Sequence, residues 1–247
     1  MSDILSWIRL EGPFLLGHRG FPSQAQENTA FSFEAALESG CDGVELDARM
    51  TADGVAVVHH DAEATSGDET IVIEEQHWER LQAMSFEGEV SAYRIPRLGQ
   101  VLQDLSGRCL INVEIKPTSA ANRERLVRAT YRETDKVRPR ESVLVSSFDP
   151  EILQIMKKTD PSVLVGFLFS ELKALNQLEN EVIMDQLTSI HPQHELIDKK
   201  LMRRATERGL FVHAWTVDDE ARAEELVKLG VTGIISNNSE MMLPYPE

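Results

Sequence analysis

The sequence of 247 residues contains little cysteine and no long hydrophobic run. Its two cysteines, Cys41 and Cys109, are too few for a cysteine-based structural zinc site. They are predicted to be buried free thiols, and a disulfide is the alternative. The N-terminal segment lacks a basic start, and no run approaches the roughly 18 apolar residues of a membrane span. The sequence therefore predicts a soluble, cytoplasmic protein without a membrane span.

Positive charge is also scarce. The chain has 25 Lys and Arg against 41 Asp and Glu, a formal net charge of -16. Binding to a phosphate backbone needs a dense basic surface, so this balance argues against nucleic acid and against an anionic membrane surface as partners. A small anionic substrate is compatible with it, provided that a few basic groups or a metal are concentrated locally.

Short apolar runs alternate with helical patterns along most of the chain, which is typical of a parallel sheet covered by helices. Strands are predicted at residues 14–17, 43–47, 110–115, 143–146, 163–168, 184–190, 211–216 and 232–235. Helices are predicted at residues 30–38, 98–105, 120–132, 150–157, 172–178, 195–208 and 218–229. Eight strands with intervening helices predict an α/β fold of the (βα)₈ TIM-barrel type. An open doubly wound sheet is the alternative, but no Gly-rich dinucleotide loop follows the first strand.

Residues from about 62 to 97 interrupt this alternation. They are polar and acidic, and they contain too few apolar residues for a core of their own. We interpret them as a small insertion after the second strand, within a single domain that spans residues 1–247.

Two carboxylates alternate with apolar residues on the second strand. Side chains in a strand have a period of two, so Glu45 and Asp47 point to the same face, about 6–7 Å apart. A divalent cation between them would relieve their repulsion; an ordinary solvated strand face is the alternative. Glu114, on a later strand, adds a third carboxylate. This oxygen set suits Mg²⁺ or Ca²⁺.

Basic side chains occur beside these acids, at the strand ends where barrel active sites lie. Lys116 follows Glu114 at a spacing of two and so shares its face, and a purely structural ion pair is the alternative. Beside a metal, Lys116 and Arg19 become natural ligands for a bound anion, because arginine offers a fork and lysine a point charge.

One imidazole follows the first predicted strand, and others follow a second short apolar run, at residues 55–58. His18 and His60 are the candidates for proton transfer, because histidine titrates near neutrality. His59 would project to the opposite side of the chain, so we interpret it as structural. The remaining candidates, His191, His194 and His213, have no comparable setting.

Read together, these segments resemble the glycerophosphodiester phosphodiesterase family over essentially the whole chain. The specific opening motifs are His18-Arg19-Gly20, Glu27-Asn28-Thr29, Glu45-Leu46-Asp47 and His60-Asp61. Later segments that agree are Ile95-Pro96-Arg97-Leu98, Val113-Glu114-Ile115-Lys116, Ser146-Ser147-Phe148-Asp149, Ala214-Trp215-Thr216-Val217 and Gly233-Ile234-Ile235-Ser236.

The resemblance implies a distorted (βα)₈ barrel with an insertion after the second strand, and it implies a role for each site residue. A divalent cation would be held by Glu45, Asp47 and Glu114. The base would be His18 and the acid His60. Phosphate would be bound by Arg19 and Lys116, with Glu27 in support and Trp215 lining the pocket for the alcohol.

The implied reaction is metal-dependent hydrolysis of a glycerophosphodiester to an alcohol and glycerol 3-phosphate. The nucleophile is either water or the neighbouring glycerol hydroxyl. A phospholipase D-like hydrolase of lysophospholipids or sphingolipids is one alternative, and a non-catalytic barrel that binds phosphate esters is the other. The chain departs from the family pattern at Asn237, where an acidic residue is usual, and at Gly99-Gln100, where a Glu is common. We expect these departures to affect substrate fit and packing rather than the reaction.

Overall fold

Eight parallel strands close into a barrel in the computed structural model, which describes residues 12–178 and 181–241. The strands of the described part are β1 (Phe14–Gly17), β2 (Gly43–Met50), β3 (Ala56–Val58), β4 (Glu63–Ser66), β5 (Glu69–Val72), β6 (Leu110–Ile115), β7 (Val143–Ser147), β8 (Leu164–Phe169), β9 (Ser189–Pro192), β10 (Phe211–Ala214) and β11 (Gly233–Ser236). The ring runs β1-β2-β6-β7-β8-β9-β10-β11, and it closes because β1 pairs with both β2 and β11. The predicted (βα)₈ barrel is confirmed.

Helices surround this ring. Within the described ranges they are α1 (Ala30–Glu38), α2 (Trp78–Leu81), α3 (Leu98–Leu105), α4 (Ala120–Thr134), α5 (Pro150–Thr159), α6 (Leu172–Leu178), α7 (Lys199–Glu207) and α8 (Glu220–Leu229). Several start at a side chain that accepts a hydrogen bond from the first turn: Thr29, Asp149, Asp198 and Asp219. None of these helices is both long and apolar enough to cross a membrane.

The core lies between the ring and its helices. Every residue of β2 and β6 is buried, as expected for central strands covered on both faces. Cys41 is buried and Cys109 half-buried, and both are free thiols, as predicted. Burial raises the pKa of each thiol to about 11.

The insertion begins where the chain leaves the ring. β3 pairs antiparallel with β2, and β4 and β5 then form a hairpin. A small apolar cluster lies beneath this region, formed by Val57, Ala64, Ile71, Ile73, Leu81, Phe86 and Ile95. Because Val57 belongs to β3, this cluster fastens the insertion to the barrel wall.

The largest errors in the predicted bounds concern two elements. The strand predicted at residues 184–190 is a 3₁₀ helix over Val182–Gln186, followed by β9. Buried Met184, Leu187 and Ile190 supplied the apolar pattern that suggested a strand. The helix predicted at residues 195–208 starts later, because the Asp198 side chain accepts a hydrogen bond from the backbone N–H of Leu201 and caps α7.

Gly43 sets the approach of β2 to β6. A Cβ at this position would clash with the backbone carbonyl of Leu110 on β6, and that group cannot move without parting the strands. We expect Gly43→Ala to lower the free energy of unfolding by about 1–3 kcal/mol, measured by urea denaturation. Gly99→Ala is the matched control, because its new Cβ would meet only the flexible end of Glu133. Equal stability of Gly43→Ala and the wild type would contradict this account.

Candidate active site

Charged side chains from the C-terminal ends of the strands surround a cavity of about 180 Å³. Seven of the nine predicted site residues line it: His18, Arg19, Glu45, His60, Glu114, Lys116 and Trp215. The other two contact this lining, since Asp47 pairs with Lys116 and Glu27 pairs with Arg19. The structure therefore brings all nine predicted side chains to one end of the barrel.

Three buried carboxylates form one wall. Glu45, Asp47 and Glu114 each offer an oxygen within 4.8 Å of the others. The parallel register of β2 and β6 causes this proximity, because it sets Asp47 directly beside Glu114. Burial, reinforced by repulsion from Asp47 and Glu114, raises the pKa of Glu45 well above its ordinary value. Its Oε1 atom is buried and has no hydrogen-bond partner among the described residues.

Lys116 neutralises part of this acidic wall. Its Nζ atom lies 2.7 Å from Glu114 Oε1 and 2.9 Å from Asp47 Oδ1. Although burial alone would lower it, the two carboxylates raise the pKa of Lys116 overall. Burial alone would raise the pKa of Asp47, but Lys116 and Arg19 lower the pKa of this carboxyl to about 2. At neutral pH Lys116 and Asp47 are therefore both charged.

Arg19 completes the positive side of the cavity. Its Nη1 donates to both oxygens of Glu27, at 3.1 and 3.0 Å, and its Nε lies 3.4 Å from Asp47 Oδ2. Its backbone N–H donates to Glu45 Oε2 at 3.1 Å. Arg19 has a positive φ of 56°, a conformation that non-glycine residues adopt rarely. The loop is thus bent so that both the backbone and the side chain of Arg19 face the carboxylates.

The two candidate histidines have different partners. His18 Nδ1 lies 2.8 Å from Asn237 Oδ1, and His18 Nε2 lies 3.9 Å from Glu45 Oε2. His60 Nδ1 instead lies 2.8 Å from the carboxylate of Asp61. Burial, helped by Arg19, lowers the pKa of His18 to about 4, and burial also lowers the pKa of His60. At neutral pH the His18 ring is therefore uncharged.

Arg49 holds His60 through the backbone, a contact that the sequence analysis missed. The Nε and Nη2 atoms of Arg49 donate to the carbonyl oxygen of His60 at 2.9 and 2.6 Å. The signal was present, because the period of two that links Glu45 to Asp47 continues to Arg49 on the same strand face.

Asn28 was also missed as a site residue, although the sequence analysis quoted it in a motif. Thr29 takes the cap, and Asn28 instead binds Asp47 twice. Its Nδ2 donates to Asp47 Oδ2 at 2.7 Å, and its Oδ1 accepts from the Asp47 backbone N–H at 3.2 Å. Asn28 has a φ of 58°, in the left-handed region that asparagine tolerates better than most residues. The tolerance of asparagine for this conformation is the sequence signal that could have identified Asn28 as a site residue.

His59 has the structural setting predicted for it. Its Nδ1 atom lies 2.9 Å from the carbonyl oxygen of Asp61, and its Nε2 atom lies 2.7 Å from the hydroxyl of Tyr93 in the insertion. The loop that carries His60 is therefore fastened to the insertion through the preceding residue.

Two aromatic rings contribute to the apolar side of the cavity, together with Leu168 and Ile235. Trp215 and Phe148 meet edge to face, with ring centroids 5.4 Å apart. The Trp215 Nε1 atom donates to the carbonyl oxygen of His191 at 2.7 Å, which fixes the indole. The sequence analysis quoted Phe148 in a motif without assigning it to the cavity.

Comparison with known proteins decides the family. The sequence profile of the glycerophosphoryl diester phosphodiesterase family matches residues 18–241. The chain belongs to this family. It is 30% identical to a glycerophosphodiester phosphodiesterase of Caldanaerobacter subterraneus subsp. tengcongensis, over 93% of this chain and 96% of the relative. It is 27% identical to a glycerophosphodiester phosphodiesterase of Bacillus altitudinis, over 90% and 94% of the two chains.

Solved structures share the barrel of this phosphodiesterase family member. An Oleispira antarctica phosphodiesterase, solved in complex with the product sn-glycerol-3-phosphate, aligns with a TM-score of 0.80 at 24% identity. The alignment covers 93% of this chain and 94% of that one. A solved structure from Silicibacter pomeroyi aligns with a TM-score of 0.80 at 21% identity, over 94% of each chain.

Further histidines are buried inside the barrel of this family member. His191 on β9 and His213 on β10 have ring centroids 4.5 Å apart, and His191 Nε2 lies 2.8 Å from Ser189 Oγ. Burial lowers the pKa of His191 to about 3 and that of His213 well below its ordinary value. Neither side chain lines the cavity, in agreement with the sequence analysis.

The burial of His191 predicts acid sensitivity of the fold. Because its pKa is lower in the folded state, its contribution is present above the unfolded pKa of about 6.5 and is lost as the pH falls toward 3. We expect the wild type to lose about 2 kcal/mol of unfolding free energy at this position between pH 6.5 and 5, measured by urea denaturation. His191→Gln should show a shallower pH dependence, by about one proton. An equally steep dependence in this variant would contradict the assignment.

Proposed function

We propose that this protein hydrolyses glycerophosphodiesters to an alcohol and glycerol 3-phosphate. The proposal rests on one observation: two imidazoles, two positively charged side chains and three carboxylates converge at one small cavity. Membership of the phosphodiesterase family supports the same reaction. The product named in the Oleispira antarctica complex is the one that this reaction would release.

Glu45, Asp47 and Glu114 would hold a divalent cation, Mg²⁺ or Ca²⁺, in this site. Carboxylate oxygens are the ligands that these hard cations prefer. The donor set fits, because the three acids are buried within 4.8 Å of one another and Glu45 Oε1 has no hydrogen-bond partner in the described chain. When bound, the cation would supply Lewis-acid stabilisation of negative charge on the phosphate.

Arg19 and Lys116 bind the phosphate of the substrate. A phosphodiester anion repels a nucleophile, and charge accumulates further as the transition state forms. Both side chains are buried or nearly so, and both stay charged because carboxylates surround them. Glu27 orients the guanidinium through its two hydrogen bonds. Trp215 and Phe148 contact the alcohol part of the substrate.

His18 and His60 transfer the protons. His18 acts as the base, because its buried ring is neutral at physiological pH and can accept the proton of the attacking hydroxyl. That hydroxyl belongs to water or to the neighbouring glycerol carbon. His60 acts as the acid and protonates the departing alkoxide. Burial lowers the pKa of His60, and the Asp61 carboxylate beside its Nδ1 acts against that lowering.

Hydrolysis of lysophospholipids is the second candidate. A groove of about 740 Å³ lies between the loop before α1 and the insertion, and it contains Phe31, which is 83% exposed, and Val90, which is 50% exposed. Such a groove could hold an acyl chain, but it shares no lining residue with the 180 Å³ cavity. A water-soluble glycerophosphodiester is therefore the first candidate. Comparing kcat/KM for glycerophosphocholine and its acylated analogue separates the two.

Removing either imidazole should abolish turnover. We expect His18→Ala and His60→Ala each to lower kcat at least about 10²-fold, because each removes a proton-transfer group. Turnover of a glycerophosphodiester is measured by release of glycerol 3-phosphate, and folding is checked by circular dichroism. His77→Ala, at an exposed histidine outside the cavity, is the control and should keep wild-type activity. Near-normal rates in both cavity variants would remove the two histidines from the mechanism. No turnover by the wild type, tested with either cation, would favour the non-catalytic phosphate-binding barrel.

Chelation should inhibit the enzyme, and Mg²⁺ or Ca²⁺ should restore the rate. Glu114→Gln removes one anionic ligand, so we expect it to raise the cation concentration for half-maximal activity by about tenfold or more. Calorimetric titration of the metal alone provides a readout that does not depend on turnover. Glu34→Gln, which removes an exposed carboxylate paired with Arg108, should leave both values unchanged. Full activity in excess chelator would contradict the metal proposal.

A further inference from the structure

Behind His18 lies a chain of hydrogen bonds that ends at a carboxylate on another loop. The Oδ1 atom of Asn237 lies 2.8 Å from His18 Nδ1, and the Nδ2 atom of Asn237 donates to Asp218 Oδ2 at 2.9 Å. The other oxygen, Asp218 Oδ1, accepts from the backbone N–H of Asn237 at 2.7 Å and from the hydroxyl of Ser236 at 3.1 Å. The Asp218 carboxylate is therefore held at both of its oxygens.

We propose that Asn237 and Asp218 are positioning residues that hold the His18 imidazole with its proton on Nδ1. This inference rests on the proposed function of His18 as the base. The inference follows from which group donates and which accepts in each hydrogen bond from Asp218 to His18. An ionised carboxylate only accepts hydrogen bonds, so Asp218 requires the NH₂ group of Asn237 to face it. The Asn237 oxygen must then face His18, and Nδ1 must be the donor.

The consequence lies on the other ring nitrogen. A neutral imidazole carries one proton, so placing it on Nδ1 leaves a lone pair on Nε2. Nε2 is the nitrogen on the side of the carboxylate wall, 3.9 Å from Glu45 Oε2. His18 is thus delivered to the cavity in the tautomer that can accept a proton there. His60, by contrast, contacts the carboxylate of Asp61 directly, with no amide between them.

Asp218→Asn should invert this order. The backbone N–H of Asn237 cannot turn round, so the new amide at position 218 must present its oxygen to that N–H and its NH₂ to the Asn237 side chain. The Asn237 amide then flips and presents its own NH₂ to His18 Nδ1, which forces the ring proton onto Nε2. A neutral ring with its proton on Nε2 has its lone pair on Nδ1, so it cannot accept a proton from the cavity at Nε2.

The double variant Asn237→Asp/Asp218→Asn should restore the order. A carboxylate at position 237 accepts from His18 Nδ1–H with one oxygen and from the amide at 218 with the other. The single variant Asn237→Asp places two carboxylates against each other and should be worse than the double variant. Asp219→Asn is the control, because it removes an equal charge from the same loop without contacting Asn237, and asparagine also caps helices well.

The tautomer is read from long-range ¹H–¹⁵N correlation spectra of labelled protein at about pH 8, above the ordinary histidine pKa of about 6.5. The His18 signals are assigned by their loss in His18→Gln. We expect the Nδ1-protonated form in the wild type, the Asp219→Asn control and the double variant, and the Nε2-protonated form in Asp218→Asn. An Nε2 proton in the wild type, or an unchanged tautomer in Asp218→Asn, would overturn the proposal.

Steady-state kinetics provides the second readout. Asp218→Asn should lower kcat by about 10–100-fold with little change in KM, and the double variant should recover most of this loss. A double variant as slow as Asp218→Asn would overturn the proposal, as would wild-type kcat in Asp218→Asn. The spectra report the ring proton without turnover. If the wild type cleaves no diester, the proposed function fails while the tautomer is still measured.

Discussion

The burial of three carboxylates at the ends of two adjacent strands is the constraint on which the rest of the site depends. Removing a carboxylate from water costs several kcal/mol unless positive charge or hydrogen bonds compensate for it. Asp47 receives that compensation from Lys116, Arg19 and Asn28. Glu45 receives only one backbone N–H and keeps one oxygen without a partner among the described residues. The hydrogen bonds and ion pairs of Asp47 thus allow the carboxylates to be buried, whereas the negative charge of Glu45 is not fully compensated.

The strand residues of the site could be predicted because they follow a rule of local geometry. A period of two places Glu45 with Asp47 and Glu114 with Lys116, and the barrel topology brings the two strands together. The residues that position them could not be predicted in the same way. Asn28 depends on a left-handed backbone conformation, and Asn237 reaches His18 across 219 positions of the chain. Asn237 was expected to affect substrate fit, yet it contacts a proposed catalytic side chain directly.

The errors in secondary structure have a related cause. Apolar residues before β9 are buried by a 3₁₀ helix, and short apolar runs look alike in the sequence whether a helix or a strand buries them. The start of α7 was missed because a single aspartate, Asp198, decides it through one hydrogen bond. These errors did not affect the predicted barrel fold, because closure of the barrel depends on the pairing of β1 with both of its neighbours rather than on any one connection.

The attachment of the His60 loop on two sides has a consequence for how such barrels can be recombined. Arg49, on the barrel strand β2, donates hydrogen bonds to the carbonyl oxygen of His60, whereas Tyr93, in the insertion, is hydrogen-bonded to His59. A chimera that exchanged residues 62–97 for a segment of different length would keep the contact with Arg49. It would lose the contact with Tyr93, unless the new segment placed a tyrosine hydroxyl at the same point. An exchanged insertion must therefore retain a hydroxyl group that can hydrogen-bond to His59, if the His60 loop is to stay attached on both sides.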